Sequence, residues 1–256
     1  MSLRITATDQ RGNRVFTSSN NIAVPALDTA ASATVGAAAT TDGTASLGLT
    51  APFSGTNPTA ITYWGIITEA AITGNRDMFG FIGELNEIQM RASGAVRLKI
   101  DDGPNSDNEL LAGSGDYNQG DQLAFVASFD AATDAWVIAA KRQGLPWAVA
   151  SGTNTSVTAV AINGLDFGIV EPDGTWAGGI IRMGVAIGVA LDGASGTVQD
   201  ALIQNGGDTP VISAATLQAL MAGGTVGVDM YGGTARFNAG TNDGAWGDMT
   251  ATGTWT

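Results

Sequence analysis

The sequence predicts an all-β protein, a two-sheet antiparallel β-sandwich, and three observations support this fold class. Glycine supplies 36 of the 256 residues and charged residues make up only 14%. Such a composition suits short strands joined by tight turns, because glycine tolerates positive φ angles. Hydrophobic residues make up 44% of the chain, which is enough to fill a core. Short runs in which apolar and polar residues alternate recur along the sequence, as they do in half-buried strands.

Charge divides the chain into an N-terminal arm, residues 1–24, and a single β-sandwich domain, residues 25–256. The arm holds Arg4, Arg11 and Arg14 against a single acidic residue, whereas the whole chain carries a net charge of −13. This asymmetry predicts an arm that docks on an acidic surface of a partner. A solvated edge strand followed by a loop is the alternative.

The first half of the sandwich domain is predicted to consist of strands. A stretch of small and polar residues at 28–50 precedes strands at 61–70 and 77–84. The next two apolar runs flank Ser93 and Gly94, a pair of residues typical of a turn. These runs predict a hairpin, since apolar and polar residues alternate on both sides of the turn.

The segment from Gly120 to Gly144, GDQLAFVASFDAATDAWVIAAKRQG, predicts the central hairpin of the sandwich. Residues 130–134 form its acidic turn. Apolar residues occupy alternate positions on both sides, so each strand turns one apolar face to a shared core. These residues are Leu123, Phe125, Ala127 and Phe129 in the first strand and Trp136, Ile138 and Ala140 in the second.

The last third of the chain predicts further strands and one short helix. Residues 165–191 predict a strand, a turn and a long strand rich in small residues. The helix is expected near residues 213–222, because Ser213 can cap it and Gly223 with Gly224 can end it. The runs VGVDMYGG and TARFNAG that follow are interpreted as closing strands.

Composition also excludes several classes of function. The chain contains no cysteine and no histidine, which excludes disulfides, thiolate zinc sites and any histidine-dependent catalytic triad. With a net charge of −13 and no basic stripe, nucleic acid is not expected as a partner. The first residues lack an apolar run of signal-peptide length, and the most apolar later segment, 178–191, is too short to span a bilayer. We therefore expect a soluble protein without a cleaved secretion signal and without membrane insertion.

The order of these elements resembles concanavalin A-like jelly-roll domains of the laminin-G type. The resemblance covers roughly residues 45–225. It is carried by the central hairpin with its Asp turn and, loosely, by Ser213, Leu217 and Leu220, which match a Leu-Ser-x-x-x-Leu-x-x-Leu helix pattern. The resemblance implies a jelly-roll sandwich with the hairpin in its concave sheet. The N-terminal arm and the residues after the helix depart from the family pattern.

The loop DDGPNSDNE is a candidate calcium site. Asp101, Asp102 and Asp107 offer the carboxylate oxygens that calcium prefers, although the spacing is not that of an EF-hand. The resemblance supports this prediction, because laminin-G-like domains often hold calcium at a rim loop. The alternative is a polar hairpin loop that binds no metal.

Aromatic residues in turn-like settings are candidates for sugar binding, because the C–H face of a sugar ring stacks on an aromatic ring. The alternative for each is a loop side chain that packs on the end of the sandwich. By contrast, Trp64 and Trp136 lie in alternating apolar strands and are predicted to belong to the core. The candidates are Tyr117, Trp147, Trp176 and Trp246.

A glycoside hydrolase of this fold would need two carboxylates about 5 Å apart on one face. The nearest candidates, Glu84 and Glu87, are three residues apart and so fall on opposite faces of a strand. We therefore expect no enzyme and interpret both as solvated residues at a strand end.

These observations lead to one main hypothesis and two alternatives. We expect a non-enzymatic structural and binding module of a large assembly, in a style that resembles decoration, spike or fibre proteins of phage or phage-like virions. The arm would then bind other virion proteins, the chain would be homo-oligomeric or part of a larger assembly, and the rim would contact host-surface glycan. The first alternative is a stand-alone bacterial carbohydrate-binding protein or adhesin, extracellular or at the cell surface. The second is a glycoside hydrolase or lyase of the same fold.

Overall fold

The computed structural model confirms the predicted all-β, two-sheet antiparallel sandwich. Two seven-stranded sheets pack face to face, and a separate two-stranded hairpin lies near the N-terminus. The structure describes residues 6–8, 14–17, 38–41, 43, 45–49, 59–69, 76–81, 86–90, 95–101, 106–110, 122–142, 145–155, 165–167, 177–203, 219–231 and 233–256. Within these ranges, none of the helices has the length and apolar character needed to cross a membrane.

The strands are numbered in chain order and belong to two large sheets and the N-terminal hairpin. They are β1 (Thr6–Thr8), β2 (Arg14–Thr17), β3 (Ala39–Thr41), β4 (Ser46–Leu49), β5 (Ala60–Glu69), β6 (Arg76–Phe81), β7 (Asn86–Met90), β8 (Val96–Asp101), β9 (Ser106–Leu110), β10 (Gln122–Asp130), β11 (Ala135–Arg142), β12 (Ala148–Thr153), β13 (Leu165–Phe167), β14 (Gly178–Ile187), β15 (Thr225–Tyr231) and β16 (Thr250–Thr252). The first sheet has the order β12-β11-β10-β5-β14-β15, with β3 also paired to β14. The second sheet has the order β16-β4-β13-β6-β7-β8-β9.

The predicted central hairpin is β10 and β11. The two strands pair in regular register from Leu123 opposite Arg142 to Asp130 opposite Ala135. The Asp130 carboxylate closes the turn, because it accepts hydrogen bonds from the Ala132 amide and the Thr133 hydroxyl, both at 2.9 Å. Local side-chain hydrogen bonds of this kind are why aspartate favours turns.

The main core lies between the two sheets and is filled by the alternate residues of their strands. The predicted inward faces of β10 and β11 all belong to it, and so do the alternate residues of β7 and β8. Burial of this apolar area is the main favourable term in folding. The large members include Leu47, Tyr63, Ile88, Leu98, Phe125, Phe129, Trp136, Ile138, Phe237 and Trp255.

The outer face of the first sheet, which points away from the second sheet, is also apolar and also covered. A segment that includes helix α1 (Gly196–Leu202) packs on it and forms an outer cluster. The prediction of a single helix near residues 213–222 is wrong in number, because α1 is a further helix that was not predicted. The sheet contributes Trp64, Ile66, Ala124, Val126, Ile181, Ala186 and Val226, and the cover contributes Leu191, Val198, Leu202, Ile203 and Met221. The strands β5, β10, β14 and β15 of the first sheet are therefore covered on both faces, and the molecule has three layers here.

A buried ion pair on the first sheet connects the sheet to helix α1. The Arg182 guanidinium donates to both carboxylate oxygens of Asp229, at 2.9 and 2.8 Å, and the two side chains are 1% and 3% exposed. A further guanidinium N–H donates to the carbonyl of Leu202, the last residue of α1, at 2.7 Å. The Trp64 indole N–H donates to Asp229 at 3.1 Å. With this many partners, the cost of burying the two charges is offset.

One predicted closing strand is a helix. The run TARFNAG forms helix α2 (Thr234–Ala239), which ends at Gly240 in the left-handed conformation with φ 68°. Phe237 is the one buried residue of this helix and reaches the main core. A strand would have buried alternate residues, Ala235 together with Phe237, but Ala235 is not buried.

The predicted helix near residues 213–222 and the N-terminal arm are only partly described. Ala219 and Leu220 are helical and a turn follows as far as Gly223, while the remainder of that helix lies outside the described residues. In the arm, β1 and β2 pair antiparallel. Docking of the arm on a partner stays a prediction.

Glycine at position 184 is required by the Trp64 side chain. On the outer face of the first sheet Gly184 pairs with Trp64 across β14 and β5, and a Cβ at 184 would overlap the indole ring. The indole fills this space and reaches Asp229. The small residues of β14 therefore accommodate a side chain of the neighbouring strand.

We expect Gly184→Ala to lower the free energy of unfolding by roughly 1–3 kcal/mol, because the indole must move and its bond to Asp229 weakens. Gly196→Ala is the matched control, since a Cβ there meets nothing within 4 Å. Urea denaturation measures both variants. Equal stability of the two would contradict this packing.

Candidate functional site

The outer face of the second sheet is polar on β7 and β8, in contrast to that of the first sheet. Glu87 pairs with Lys99 and Gln89 pairs with Arg97. The residues between them, such as Ile88, belong to the main core. Because successive side chains in a strand point to opposite faces, these four polar residues lie on the face away from the core. We call Glu87, Gln89, Arg97 and Lys99 the polar face.

The polar face is one connected hydrogen-bond network across two strands. The Gln89 amide nitrogen donates to Glu87 Oε1 at 2.8 Å, and Lys99 Nζ lies 3.4 Å from the same oxygen. Arg97 donates to Gln89 Oε1 at 2.7 Å. The amide thus links Arg97 to the ion pair of Glu87 and Lys99, with its oxygen toward the guanidinium and its nitrogen toward the carboxylate.

The network is layered by depth. Glu87 and Gln89 are 0% and 1% exposed. The Lys99 side chain is 16% exposed, and Arg97 is half-buried. The carboxylate and the amide are therefore the deepest part of the network, and the two cationic side chains are its more exposed part.

The Glu87 carboxylate also acts on the main core. Burial raises the pKa of Tyr63 well above its ordinary value, and the negative charge of Glu87 raises that pKa further. Tyr63 therefore stays neutral at ordinary pH. An unpaired carboxylate at this depth would destabilise the fold, and Lys99 is a cationic partner that offsets its charge.

The prediction that Glu87 is a solvated strand-end residue is wrong. The strand starts at Asn86, so Glu87 lies inside it, fully buried opposite Lys99. Glu84 lies outside the described residues. The next position on the same face is Gln89, an amide that can neither donate a proton as an acid nor accept one as a base. The described part of this face thus places one carboxylate, not two, on β7.

Strand register extends the polar face to the neighbouring strands. Gln89 pairs with Asp77 of β6, and Lys99 pairs with Asn108 of β9. Positions opposite one another in an antiparallel pair share a face. Asp77 and Asn108 therefore occupy register positions beside the polar face.

The predicted calcium ligands lie at the end of the hairpin formed by β8 and β9. Asp101 pairs with Ser106, and Asp107 pairs with Ile100. The two aspartates therefore occupy positions on opposite faces of the sheet. Asp102 lies outside the described residues. Among the described residues there is no group of three or more acidic side chains that could hold a metal ion. The calcium site stays a prediction.

The predicted sugar-stacking residues are not brought together in the part of the chain that is described. Trp147 is half-buried and packs against the outer cluster. Trp246 is half-buried, packs against the main core and lies over Gly227, where a Cβ would overlap its ring. Tyr117 and Trp176 lie outside the described residues. Trp64 and Trp136 are both buried, as predicted for core residues.

The predicted docking residues of the arm also fall mostly outside the description. Arg14 begins β2, whereas Arg4 and Arg11 lie outside the described residues.

The polar face was not predicted from the sequence. Its signal is present, however, since Glu-Ile-Gln and Arg-Leu-Lys alternate on the two sides of the predicted turn at Ser93 and Gly94.

Comparison with known proteins identifies the fold and no family. No protein-family model matches the chain, and no curated protein matches its sequence. Among solved structures, a provisionally assigned carbohydrate-binding protein from Bacteroides ovatus matches with a TM-score of 0.60 and 13% identity. The match covers 87% of this chain and 59% of that structure, so the chain spans less than two thirds of its length.

Two other similar structures have TM-scores below 0.5. One is the CBM40 of a Ruminococcus gnavus sialidase bound to α2,3-sialyllactose, with a TM-score of 0.41 and 14% identity over 57% of this chain and 82% of that one. The other is LG4–5 of the mouse laminin α1 chain, with a TM-score of 0.42 and 14% identity over 63% of this chain and 44% of that one. Because the sequence identity to the Bacteroides protein is only 13%, the structural likeness establishes a shared β-sandwich fold and nothing further.

Removal of the cation from the buried pair tests the network. We expect Lys99→Met to lower the free energy of unfolding by about 1–3 kcal/mol, because the buried Glu87 carboxylate loses a cation that lies 3.4 Å from its Oε1. The double variant Glu87→Gln with Lys99→Met should recover part of the loss, since no buried charge remains.

Urea denaturation of the two single variants and the double variant gives the coupling between the residues. Lys141→Met, a half-buried lysine of the first sheet, is the control. Strictly additive effects of the Glu87 and Lys99 substitutions would mean that the two side chains do not interact.

Proposed function

We propose that the chain is a non-enzymatic carbohydrate-binding β-sandwich and that the polar face contacts the sugar. The observation that carries the proposal is the layered network, in which two reachable cationic side chains are held by a buried carboxylate and a buried amide. The likeness to the Bacteroides protein supports a carbohydrate as the ligand class, because that protein is itself assigned to carbohydrate binding.

The chemistry of the polar face suits a hydroxyl-rich ligand. Arg97 and Lys99 supply several N–H donors for sugar oxygens. Gln89 holds the Arg97 guanidinium and Glu87 holds the Lys99 ammonium. Groups that are fixed before binding lose little conformational entropy when the ligand arrives. Because Glu87 offsets one of the two positive charges, the polar face carries a small net charge and suits a polar ligand better than a polyanion such as nucleic acid.

The environment of Glu87 argues against a catalytic role for it. Hydrolysis of a glycosidic bond needs two carboxyl groups, one as acid and one as base. Glu87 is fully buried and is held by Gln89 and Lys99, and the next position on the same face of β7 is the amide Gln89. Asp77 of β6, which occupies the position opposite Gln89, is a further acidic residue of this face. Because Glu87 is already engaged by its neighbours, the proposal assigns binding without turnover.

The remaining sequence-based hypotheses stand beside this proposal as predictions. A role as a virion decoration, spike or fibre protein rests on the acidic body and on the N-terminal arm. It is compatible with a carbohydrate-binding face, since a particle protein can bind host glycan. Calcium binding at Asp101, Asp102 and Asp107 also stays a prediction, and the proposed role of the polar face does not depend on it.

Binding to an array of immobilised glycans tests the proposal. We expect Arg97→Gln to weaken binding of the best glycan at least about tenfold, because one charge-assisted hydrogen bond contributes on the order of 1.5–3 kcal/mol. Arg142→Gln is the matched control, since Arg142 is a half-buried arginine on β11 of the other sheet.

Wild-type protein that binds no glycan would overturn the proposed function. Binding that survives Arg97→Gln unchanged would leave a carbohydrate-binding protein but exclude the polar face as its site. A thermal midpoint that is the same in wild type and variant ensures that loss of binding is not loss of folding.

A further inference from the structure

The two edges of the first sheet differ in their backbone hydrogen bonding. The edge formed by β15 is closed by the segment that follows α2, whose backbone N–H groups donate to β15 carbonyls. Three such bonds are described, Asp243 to Asp229 at 3.0 Å, Ala245 to Val226 at 2.8 Å and Trp246 to Gly227 at 3.2 Å. The neighbouring strand β3 is closed by the last residue, because Thr40 and Thr256 exchange backbone bonds of 2.7 and 2.8 Å.

The opposite edge is β12, and in the described part of the chain it is open. It pairs with β11 on one side, and no described residue pairs with its other side. Its outward side chains Val149, Ser151 and Thr153 are all exposed. Val149 is 46% exposed and Leu145, just before the strand, is 36% exposed; they are the exposed large hydrophobic residues among the described residues.

The devices by which proteins usually block an exposed edge are missing from β12. An edge is normally protected by charged side chains, by proline or by a bulge within the strand. The sequence of β12 is Ala-Val-Ala-Ser-Gly-Thr, and it pairs with β11 through six residues without a shift in register. No charged residue occurs between Arg142 and Asp166. The edge is thus neutral and without a bulge, and Val149 is the largest residue of its strand.

We propose that β12 is a self-association edge, at which it pairs antiparallel with β12 of a second copy of this chain. Antiparallel pairing of a strand with itself is compatible with a two-fold axis, so one surface serves both copies. Each chain carries a net charge of −13, which makes most approaches between copies repulsive. The neutral edge is a place where two copies can meet without that penalty.

The main core supports a second copy as the occupant. Ala148 and Ala150, on the inward face of β12, are half-buried and pack against the main core at its open end. Pairing across the edge places the same two residues of the other copy beside them. The core then continues through the interface, and the two first sheets become one sheet.

The symmetry fixes which residues meet. Residues opposite one another in an antiparallel pair lie on the same face, so the two-fold axis must lie between one residue and the same residue of the other copy. With the axis at the middle of β12, that residue is Ala150 or Ser151. Ser151 of one copy then lies directly opposite or diagonal to Ser151 of the other, within about 8 Å in either register. A charge at this exposed position is therefore the sharpest probe of the interface.

The experiment measures the mass of the full chain in solution by sedimentation velocity at about 100 µM, a concentration at which even a weak dimer forms. We expect wild type at twice the chain mass of 25.8 kDa. Ser151→Lys and Ser151→Glu should each sediment as monomers, because like charges meet at the axis. An equimolar mixture of the two variants should recover the dimer, because opposite charges then meet.

The controls are Thr225→Lys and Thr225→Glu, at an exposed strand position on β15 at the other edge of the first sheet. Both should remain dimers. A monomeric wild type, a dimer that survives both Ser151 substitutions, or a mixture that stays monomeric would each overturn the proposal. Recovery in the mixture also shows that the variants are folded. This result does not depend on whether the polar face binds a glycan.

Discussion

Four strands of the first sheet, β5, β10, β14 and β15, carry apolar residues on both faces, and the rest of the structure depends on this constraint. Their inner face is covered by the second sheet across the main core. Their outer face needs a separate cover, which α1 and the residues around it provide. The buried pair of Arg182 and Asp229 fastens that cover through the carbonyl of Leu202. These strands are thereby covered on both sides, and the outer face of the second sheet is left to carry polar groups.

The two polar networks of the molecule differ in what they leave exposed. Around Arg182 every described charged group is enclosed and paired, so this network fixes the layers and offers nothing to a ligand. On the polar face the buried members, Glu87 and Gln89, hold two cations that still reach solvent. Buried ion pairs often add little net stability compared with apolar packing, so we interpret the role of these two networks as geometric. In the first network the geometry positions a helix, and in the second we propose that it positions ligand-binding groups.

The sequence predicts the parts of the fold that local patterns determine. The central hairpin was predicted in full, because alternation and the Asp130 turn both act over a few residues. Helix α2 was missed, since the lone apolar Phe237 between glycines carries no period. The burial of Glu87 could not be predicted, because alternation assigns a face to a residue and does not say what covers that face. The same limit applies to Trp147 and Trp246, where turn-like neighbours do not reveal the cluster on which the ring packs.

The central claim is that ligand binds on the outer face of the second sheet. Chemical-shift mapping of backbone amides, with the glycan that binds best on the array, tests this claim most directly. The account predicts that the largest shifts occur in β7 and β8, around Glu87 to Gln89 and Arg97 to Lys99, while the loops that hold Trp147 and Trp246 stay unchanged. Shifts confined to those two loops, with β7 and β8 unchanged, would contradict it and assign the site to the rim of the sandwich.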